Sequence, residues 1–169
     1  MSSSESPNVE AWLDQNTLRD LVARLGAAVD RADRARIAAC YTEDSYDDHG
    51  IFKGTGRDFA DFICGGVGLM RTMHHQLGQS IFDVIGDDAW GETYFYFHAD
   101  AGGTAVTGYG RYVDHFRRTR EGWKVHYRRV VPDAVPPGDD IDGYWRSRRD
   151  ESDPSHDRRR APTDPPTGE

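Results

Sequence analysis

The chain has 169 residues, of which 37% are hydrophobic and 11% aromatic, enough for one compact core. The formal net charge of -8 works against nucleic acid or an anionic membrane as a partner. No stretch approaches the roughly 18 apolar residues of a membrane span, and the first residues lack a basic region followed by an apolar one. We therefore expect a cytoplasmic protein that binds a small neutral or weakly charged ligand.

Both ends of the chain have the composition of tails. Residues 1–8 are rich in serine, and residues 147–169 combine mixed charge with proline and have no apolar residue beyond Ala161. Such segments bury too little apolar surface to offset the entropy lost on ordering. The composition predicts one domain over residues 9–146, with disordered tails at 1–8 and 147–169.

The first part of the domain has the apolar spacing of helices. A first helix is predicted to begin after Asn16 and Thr17. Asp20 is spaced from Thr17 as the two residues of a capping box are. Its repeating apolar residues are Leu18, Leu21, Val22, Leu25 and Val29. A shorter helix is predicted over residues 33–41, an extended piece over 45–49, and a third helix from 58 to about 70. Glycines weaken the end of that third helix.

The second half of the domain has the pattern of long antiparallel strands. Strands are predicted over residues 75–85, 89–99, 104–119 and 123–131, separated by turns that contain glycine. Helices followed by antiparallel strands predict an α+β domain in which a curved sheet wraps a helical layer. Such a sheet can enclose a cavity.

Two residue types point to acid–base chemistry. Asp30 lies where the first helix ends, and the pair His74-His75 lies at the start of the first long strand. An aspartate that holds an imidazole moves protons without a cofactor. Other interpretations stay open: Asp30 as a helix-terminal polar residue or N-cap, and His75 as a histidine facing solvent or satisfied in the core. In an extended chain, His74 points away from His75.

Six segments, in this order and spacing, resemble one known family. They are Val29-Asp30-Arg31-Ala32-Asp33, Cys40-Tyr41-Thr42-Glu43-Asp44, Asp48-His49-Gly50-Ile51-Phe52-Lys53-Gly54, Met73-His74-His75, Val84-Ile85-Gly86-Asp87-Asp88-Ala89 and Gly122-Trp123-Lys124-Val125. Together they resemble the SnoaL-like branch of the nuclear transport factor 2-like (NTF2-like) superfamily, over nearly all of the predicted domain. The resemblance implies a cone of strongly bent sheet, closed by helices, around an apolar pocket.

The resemblance also implies catalytic residues. Lyases of the scytalone dehydratase type carry an aspartate at the end of the first helix and a histidine at the start of the first long strand, which fall on Asp30 and His75. Asp30 is expected to fix the tautomer of His75 and stabilise its imidazolium. His75 then takes a proton beside a carbonyl or similar group, and a leaving group departs. No cofactor is expected.

Further pocket residues are predicted. His49 falls where the dehydratase has a pocket tyrosine, which makes it an electrophilic or acid partner, although it is equally a turn residue before Gly50. The remaining candidates for substrate binding are Tyr46, His98, Tyr112, Arg128 and Arg129. Tyr112 offers a hydroxyl, and one of the two arginines is placed to clamp an oxyanion or leaving group because neighbours in a strand alternate faces.

Metal and thiol chemistry are weaker hypotheses. Asp47, Asp48 and the histidines match no known spacing of metal ligands, so no metal is predicted. Cys40 and Cys64 lie in apolar helical patterns and are expected to be reduced, unreactive thiols.

The sequence thus predicts a cofactor-independent dehydratase or isomerase for a hydrophobic small molecule of steroid, terpenoid or polyketide type. Since a fold does not determine its chemistry, alternatives are an aldol-type cyclase, an epoxide hydrolase, or a non-catalytic module for ligand binding or dimerisation. A homodimer is expected from the family and from the aromatic strands.

Overall fold

The computed structural model describes residues 9–65, 70–100, 103–134 and 147–159. In these ranges the chain is α+β, as predicted. Its helices are α1 (Val9–Asp30), α2 (Arg34–Ala39) and α3 (Gly56–Gly65). Its strands are β1 (Tyr41–Asp48), β2 (Lys53–Gly54), β3 (Thr72–Ile85), β4 (Asp88–Asp100), β5 (Ala105–Thr119) and β6 (Gly122–Ala134).

The strands form one mixed sheet in the order β2-β1-β6-β5-β4-β3. Strand β1 runs parallel to β6, and the other neighbours pair antiparallel. The register shifts between Leu77 and Ser80 on β3, and again between His115 and Phe116 on β5. Such irregularities bend strands and increase their twist. The sheet is therefore curved and open, with the helices on its concave side.

The core lies between the helices and the concave face of the sheet. Alternating strand residues meet the apolar stripe of α1 there because each element buries one side. Its buried side chains include Leu18, Leu21, Val22 and Leu25 from α1 and Phe82, Phe116 and Val125 from the sheet. These three leucines and the valine of α1 are among the residues whose spacing predicts the helix.

Several predicted boundaries are wrong. Helix α1 begins at Val9, and the Thr17 hydroxyl donates to the Leu13 carbonyl at 2.9 Å inside it, so there is no capping box at Thr17. A threonine hydroxyl can bond the carbonyl four residues earlier in a helix, and the sequence pattern does not exclude that alternative. Helix α3 spans Gly56–Gly65, and the rest of its predicted course, residues 66–69, lies outside the described residues. The two-residue strand β2 was not predicted.

Residues 147–159 lie against the sheet, although the sequence predicts a disordered tail from residue 147. The anchor is Arg111 of β5, whose guanidinium donates to Asp153 at 2.9 and 3.0 Å and to the Ser147 hydroxyl at 3.0 Å. Burial raises the pKa of Asp153, but the hydrogen bonds from Arg111 and from backbone N–H groups lower it by more. The net pKa therefore lies below its usual range. Composition does not reveal such a contact, because the arginine that makes it lies 42 residues away.

Two further expectations concern single features. In the described ranges, no helix is long and apolar enough to cross a bilayer. Cys40 and Cys64 are free thiols, and burial raises the pKa of Cys40.

The start of α3 is held by a close approach that only glycine allows. A Cβ at Gly56 would lie 2.1 Å from Cγ of the buried Tyr41, and the Gly56 N–H donates to the Ser45 hydroxyl at 3.0 Å. We expect Gly56→Ala to lower the free energy of unfolding in urea by about 1–3 kcal/mol, because overpacking forces a shift of buried groups. Gly65→Ala is the control, since its Cβ would meet nothing within 4 Å. An equal loss in both variants would contradict the packing argument.

Candidate active site

The end of α1 meets the start of β3 on the concave face. The two elements approach closely at Gly26, where a Cβ would be in ordinary contact, 4.0 Å from Cβ of His75 and 3.9 Å from Cδ1 of Leu77. Asp30 is the last residue of α1, one turn further on. Helix α2 is capped by Asp33, whose carboxylate accepts from the Arg36 N–H at 3.1 Å. Asp30 is therefore not the cap, and its side chain is turned to β3.

Asp30 and His75 form a two-point contact. Oδ1 of Asp30 lies 2.6 Å from Nδ1 of His75, and Oδ2 accepts from the His75 backbone N–H at 3.0 Å. A carboxylate only accepts, so Nδ1 carries the hydrogen and Nε2 is left as the acceptor nitrogen of the neutral ring. The backbone bond orients the carboxylate as well. This geometry brings together the two residues that the sequence predicts to be catalytic.

Hydrogen bonding keeps Asp30 ionised. Burial raises the pKa of Asp30, but the side-chain and backbone hydrogen bonds from His75 outweigh burial, and the net pKa is lowered. The carboxylate is thus charged at neutral pH and stabilises a positive imidazole. The side chains are only 15% exposed for Asp30 and 12% for His75, so water screens the pair weakly.

His75 faces a cavity of about 260 Å³. Among the described residues, its polar side chains are His49, His75 and Tyr112, and the rest of the wall is apolar. The apolar side chains come from helix and sheet and include Phe59, Phe62, Ile63, Phe95, Phe97 and Val130. Ile51 also lines the cavity and is 70% exposed, which marks where the cavity opens to solvent.

The sheet wall of the cavity depends on two glycines. Phe97 lies over Gly108, where a Cβ would be 2.5 Å from the ring, and Phe95 lies over Gly110, where it would be 2.8 Å away. The rings can thus lie flat on β5. Phe95 then stacks on Tyr112 with centroids 4.4 Å apart, and Phe97 stacks on His75 at 6.1 Å. The wall positions the imidazole of His75 among aromatic rings.

His49 enters the same cavity on the opposite side, from the turn after β1. Its ring stacks on Phe59 with centroids 4.3 Å apart, and its Nδ1 is hydrogen-bonded to Oδ1 of Asp47. Asp47 is fully buried, and its Oδ2 accepts from the Tyr41 hydroxyl. The sequence interpretation did not pair Asp47 with His49. The i, i+2 spacing in an extended segment was the available signal, since it puts both on one face.

Arg128 lies on the concave side but behind the cavity wall. Its guanidinium forms two hydrogen bonds of 2.8 Å with Asp114 and lies 3.9 Å from the centroid of Tyr112. Of the two arginines it is the inward one, yet it does not line the cavity. Burial raises the pKa of Tyr112, so its hydroxyl stays protonated and can act as a donor.

Three predicted substrate-binding residues lie elsewhere. Tyr46 stacks on Tyr127 at 5.9 Å, and both line a separate hollow on the convex face with Arg129. His98 is opposite His74 in the register of β3 and β4, on the face away from His75. Strand alternation explains each correction, because the immediate neighbours Asp47, Arg128 and Phe97 are the inward residues.

The described residues contain no group of three or more histidine, cysteine, aspartate or glutamate side chains placed to hold a metal ion. The carboxylates of Asp30 and Asp47 are instead each paired with one imidazole.

Comparison with known proteins assigns the family. The model of the SnoaL-like domain matches residues 10–129, which is most of the chain and includes Asp30, Asp47, His49 and His75. The chain therefore belongs to the SnoaL-like domain family. No similar sequence was found among curated proteins.

Solved structures with the same fold support this assignment. A protein named "Putative Scytalone Dehydratase" from Novosphingobium aromaticivorans superposes with a TM-score of 0.72 at 16% identity, over 79% of this chain and 93% of that one. The hexachlorocyclohexane dehydrochlorinase LinA-type3 of Novosphingobium barchaimii gives 0.68 at 17%, over 80% and 97%. An NTF2-like protein from N. aromaticivorans gives 0.64 at 26%, over 82% and 94%. The NTF2-like fold predicted from the sequence is confirmed.

The lowered pKa of Asp30 predicts a pH-dependent contribution to stability. A carboxyl whose folded pKa lies below its unfolded value, about 3.9, stabilises the fold above that value and loses the effect as pH falls through the folded pKa. We expect Asp30→Asn to lower the free energy of unfolding above about pH 5, with the difference from wild type shrinking at lower pH. Denaturant titrations at several pH values measure it.

The exposed Asp20 of the same helix provides the control variant, Asp20→Asn. A difference between wild type and Asp30→Asn that stays constant down to about pH 2 would contradict the role given to the carboxylate charge.

Proposed function

We propose that the protein is a cofactor-independent lyase that eliminates water from a hydrophobic small molecule, with His75 as the base and Asp30 as its positioning partner. The observation that carries the proposal is the commitment of Nδ1 of His75 to Asp30 on the wall of an apolar cavity. The acceptor nitrogen Nε2 is then left for a C–H proton of a bound ligand.

The proposed step follows from this geometry. Nε2 of His75 takes a proton from carbon beside a carbonyl, the C–H electron pair forms the new double bond, and the bond to the leaving group breaks. The imidazolium formed is stabilised by the ionised Asp30 at 2.6 Å. Exclusion of water by the aromatic wall strengthens that interaction. If the proton returns at another carbon and nothing leaves, the same base performs an isomerisation.

The cavity indicates the class of substrate. Among the described residues its walls are apolar apart from two imidazoles and one hydroxyl, so the ligand is largely apolar with few polar groups. Its volume of about 260 Å³ lies below the usual range of roughly 300–1,000 Å³ for pockets of drug-sized ligands. We therefore favour small members of the terpenoid, polyketide or steroid classes.

The names of the structural neighbours support the reaction class. A dehydratase and a dehydrochlorinase are named among them, and both words denote an elimination. Removal of water and removal of hydrogen chloride share one requirement, a base near a C–H bond of a bound molecule.

The test is a screen with mass spectrometry. Wild type is incubated with hydroxylated terpenoids, steroids and polyketide-like ketones in deuterated buffer, and loss of water and uptake of deuterium are followed. We expect His75→Gln to lower kcat/KM by about 10²–10⁴, the usual contribution of a general base. Asp30→Asn should also lower kcat, because it removes the stabilisation of the imidazolium.

His74→Gln is the matched control, because His74 is exposed and points to the other face. Equal turnover by wild type and His75→Gln would refute the proposed base. Ligand retained without turnover in wild type would favour the non-catalytic binding module, and deuterium uptake without loss of water would favour an isomerase.

We also propose that the chain forms a homodimer. Ile81 and Ile85, neighbours on the convex face of the edge strand β3, are 51% and 52% exposed. Exposed apolar groups on one face are typical of an interface. Sedimentation velocity is expected to show twice the monomer mass, and a monomer at all concentrations would contradict the dimer.

A further inference from the structure

The cavity contains two imidazoles, and each is held by its own carboxylate. His75 is held by Asp30 where α1 meets β3, and His49 is held by Asp47 at the end of β1. The stacked rings of Phe95 and Tyr112 lie between them, with His75 6.2 Å from Phe95 and His49 6.4 Å from Tyr112, measured between centroids. A ligand on this wall is flanked by both histidines.

The second pair is as tightly oriented as the first. Both oxygens of Asp47 are used, Oδ1 by Nδ1 of His49 and Oδ2 by the hydroxyl of Tyr41. Tyr41 is buried, and burial together with the nearby Asp47 charge holds its pKa well above the usual range, so it remains a donor. Because Nδ1 is committed to the carboxylate, Nε2 of His49 is the nitrogen available to a ligand.

The charges around the two pairs differ. Behind His49 lies a buried group of two carboxylates, Asp47 and Asp114, and one guanidinium, Arg128, which are 0%, 2% and 3% exposed. Arg128 is bonded to Asp114 on both oxygens. Asp47 therefore lies beside paired buried charges, and His49 is its hydrogen-bond partner that faces the cavity. On the other side, Asp30 is partly exposed and has a backbone N–H as a second donor.

We propose that His49, positioned by Asp47 and Tyr41, is the acid that protonates the leaving group while His75 acts as the base. This inference rests on the proposed function and extends it to the substrate, a molecule with a hydroxyl β to a carbonyl. In the step, His75 takes the C–H proton, the double bond forms, the C–O bond breaks, and the oxygen takes the proton of His49 Nε2 to leave as water. The proton on His75 and the one lost by His49 re-equilibrate through solvent.

The chemistry requires such an acid for this leaving group. Hydroxide is a far poorer leaving group than water or acetate, so a base alone lowers only part of the barrier to dehydration. Acetate leaves as a stable anion and needs no proton. The rate of water loss should therefore depend on His49, whereas the rate of acetate loss should not. Both rates should depend on His75.

The first experiment needs no substrate. Nitrogen-15 NMR of histidine-labelled protein distinguishes imidazolium from neutral imidazole. We expect Nδ1 of His49 to carry a proton in wild type, because the Asp47 carboxylate only accepts, and we expect this preference to be lost in Asp47→Asn. Tyr41→Phe, which keeps the buried ring, should show an intermediate state. His49→Gln assigns the signal.

Asp88→Asn is the matched control. Oδ1 of Asp88 lies 2.7 Å from Nε2 of His115, in an aspartate–histidine pair outside the cavity. It should leave the His49 signal unchanged. The same His49 tautomer in wild type and in folded Asp47→Asn, or an unprotonated Nδ1 in wild type, would overturn the proposal whatever the substrate screen yields. If Asp47→Asn does not fold, the wild-type state alone decides.

The second experiment compares two probes, 4-hydroxy-4-phenylbutan-2-one and its acetate ester, with any hydroxy ketone found in the screen. We expect His49→Gln to lower kcat for loss of water by about 10²–10⁴ and to change loss of acetate by less than about fivefold. His75→Gln should lower both. Equal losses for the two leaving groups in His49→Gln, or rescue of His75→Gln by the acetate, would overturn the assignment of acid and base. Full activity of His75→Gln would instead refute the proposed function, and the NMR result would still stand.

Discussion

The contact between Asp30 and His75 is the constraint on which the candidate site depends. It joins the last residue of α1 to the start of β3 through two hydrogen bonds, 2.6 and 3.0 Å long. The contact requires α1 to pack along β3, as it does at Gly26 beside His75 and Leu77, and it requires Asp33 rather than Asp30 to cap α2. The packing of α1 on β3, the capping of α2 and the tautomer of His75 are therefore coupled. A change in any of them alters the position of Nε2 of His75.

The curved sheet turns this contact into a site. Bends at the register shifts wrap β3 to β6 around α1, and the wall of Phe95 and Phe97 over two glycines makes one side of the cavity apolar. The opposite side is supplied by α3 and by the turn that carries His49. An apolar cavity with a few oriented polar groups favours chemistry on a small hydrophobic ligand, since low polarity strengthens the interactions of the groups that remain.

The buried cluster behind Tyr112 contributes in a different way. Arg128 does not reach the cavity, although an arginine at that position was expected to clamp a substrate oxygen. Its guanidinium instead neutralises Asp114 and packs on the ring of Tyr112. The other buried carboxylate, Asp47, is hydrogen-bonded by both Tyr41 and His49. Arg128 thus contacts the site only through Asp114 and Tyr112, while the imidazole of His49 is the group that lines the cavity.

The sequence by itself determined the α+β class, the strand order along the chain and the pairing of Asp30 with His75, because apolar periodicity and family motifs are local features. Tertiary structure alone decided which of two adjacent strand residues faces inward: Phe97 rather than His98, Asp47 rather than Tyr46, Arg128 rather than Arg129. A register shift of one residue moves every side chain of a strand to the opposite face of the sheet. Bulges introduce such shifts, and the sequence pattern does not show where they occur. Asp14 in the first part of α1 accepts hydrogen bonds from Arg118 and Trp123, and residues 147–159 dock on Arg111, so both segments likewise depend on partners distant in the chain.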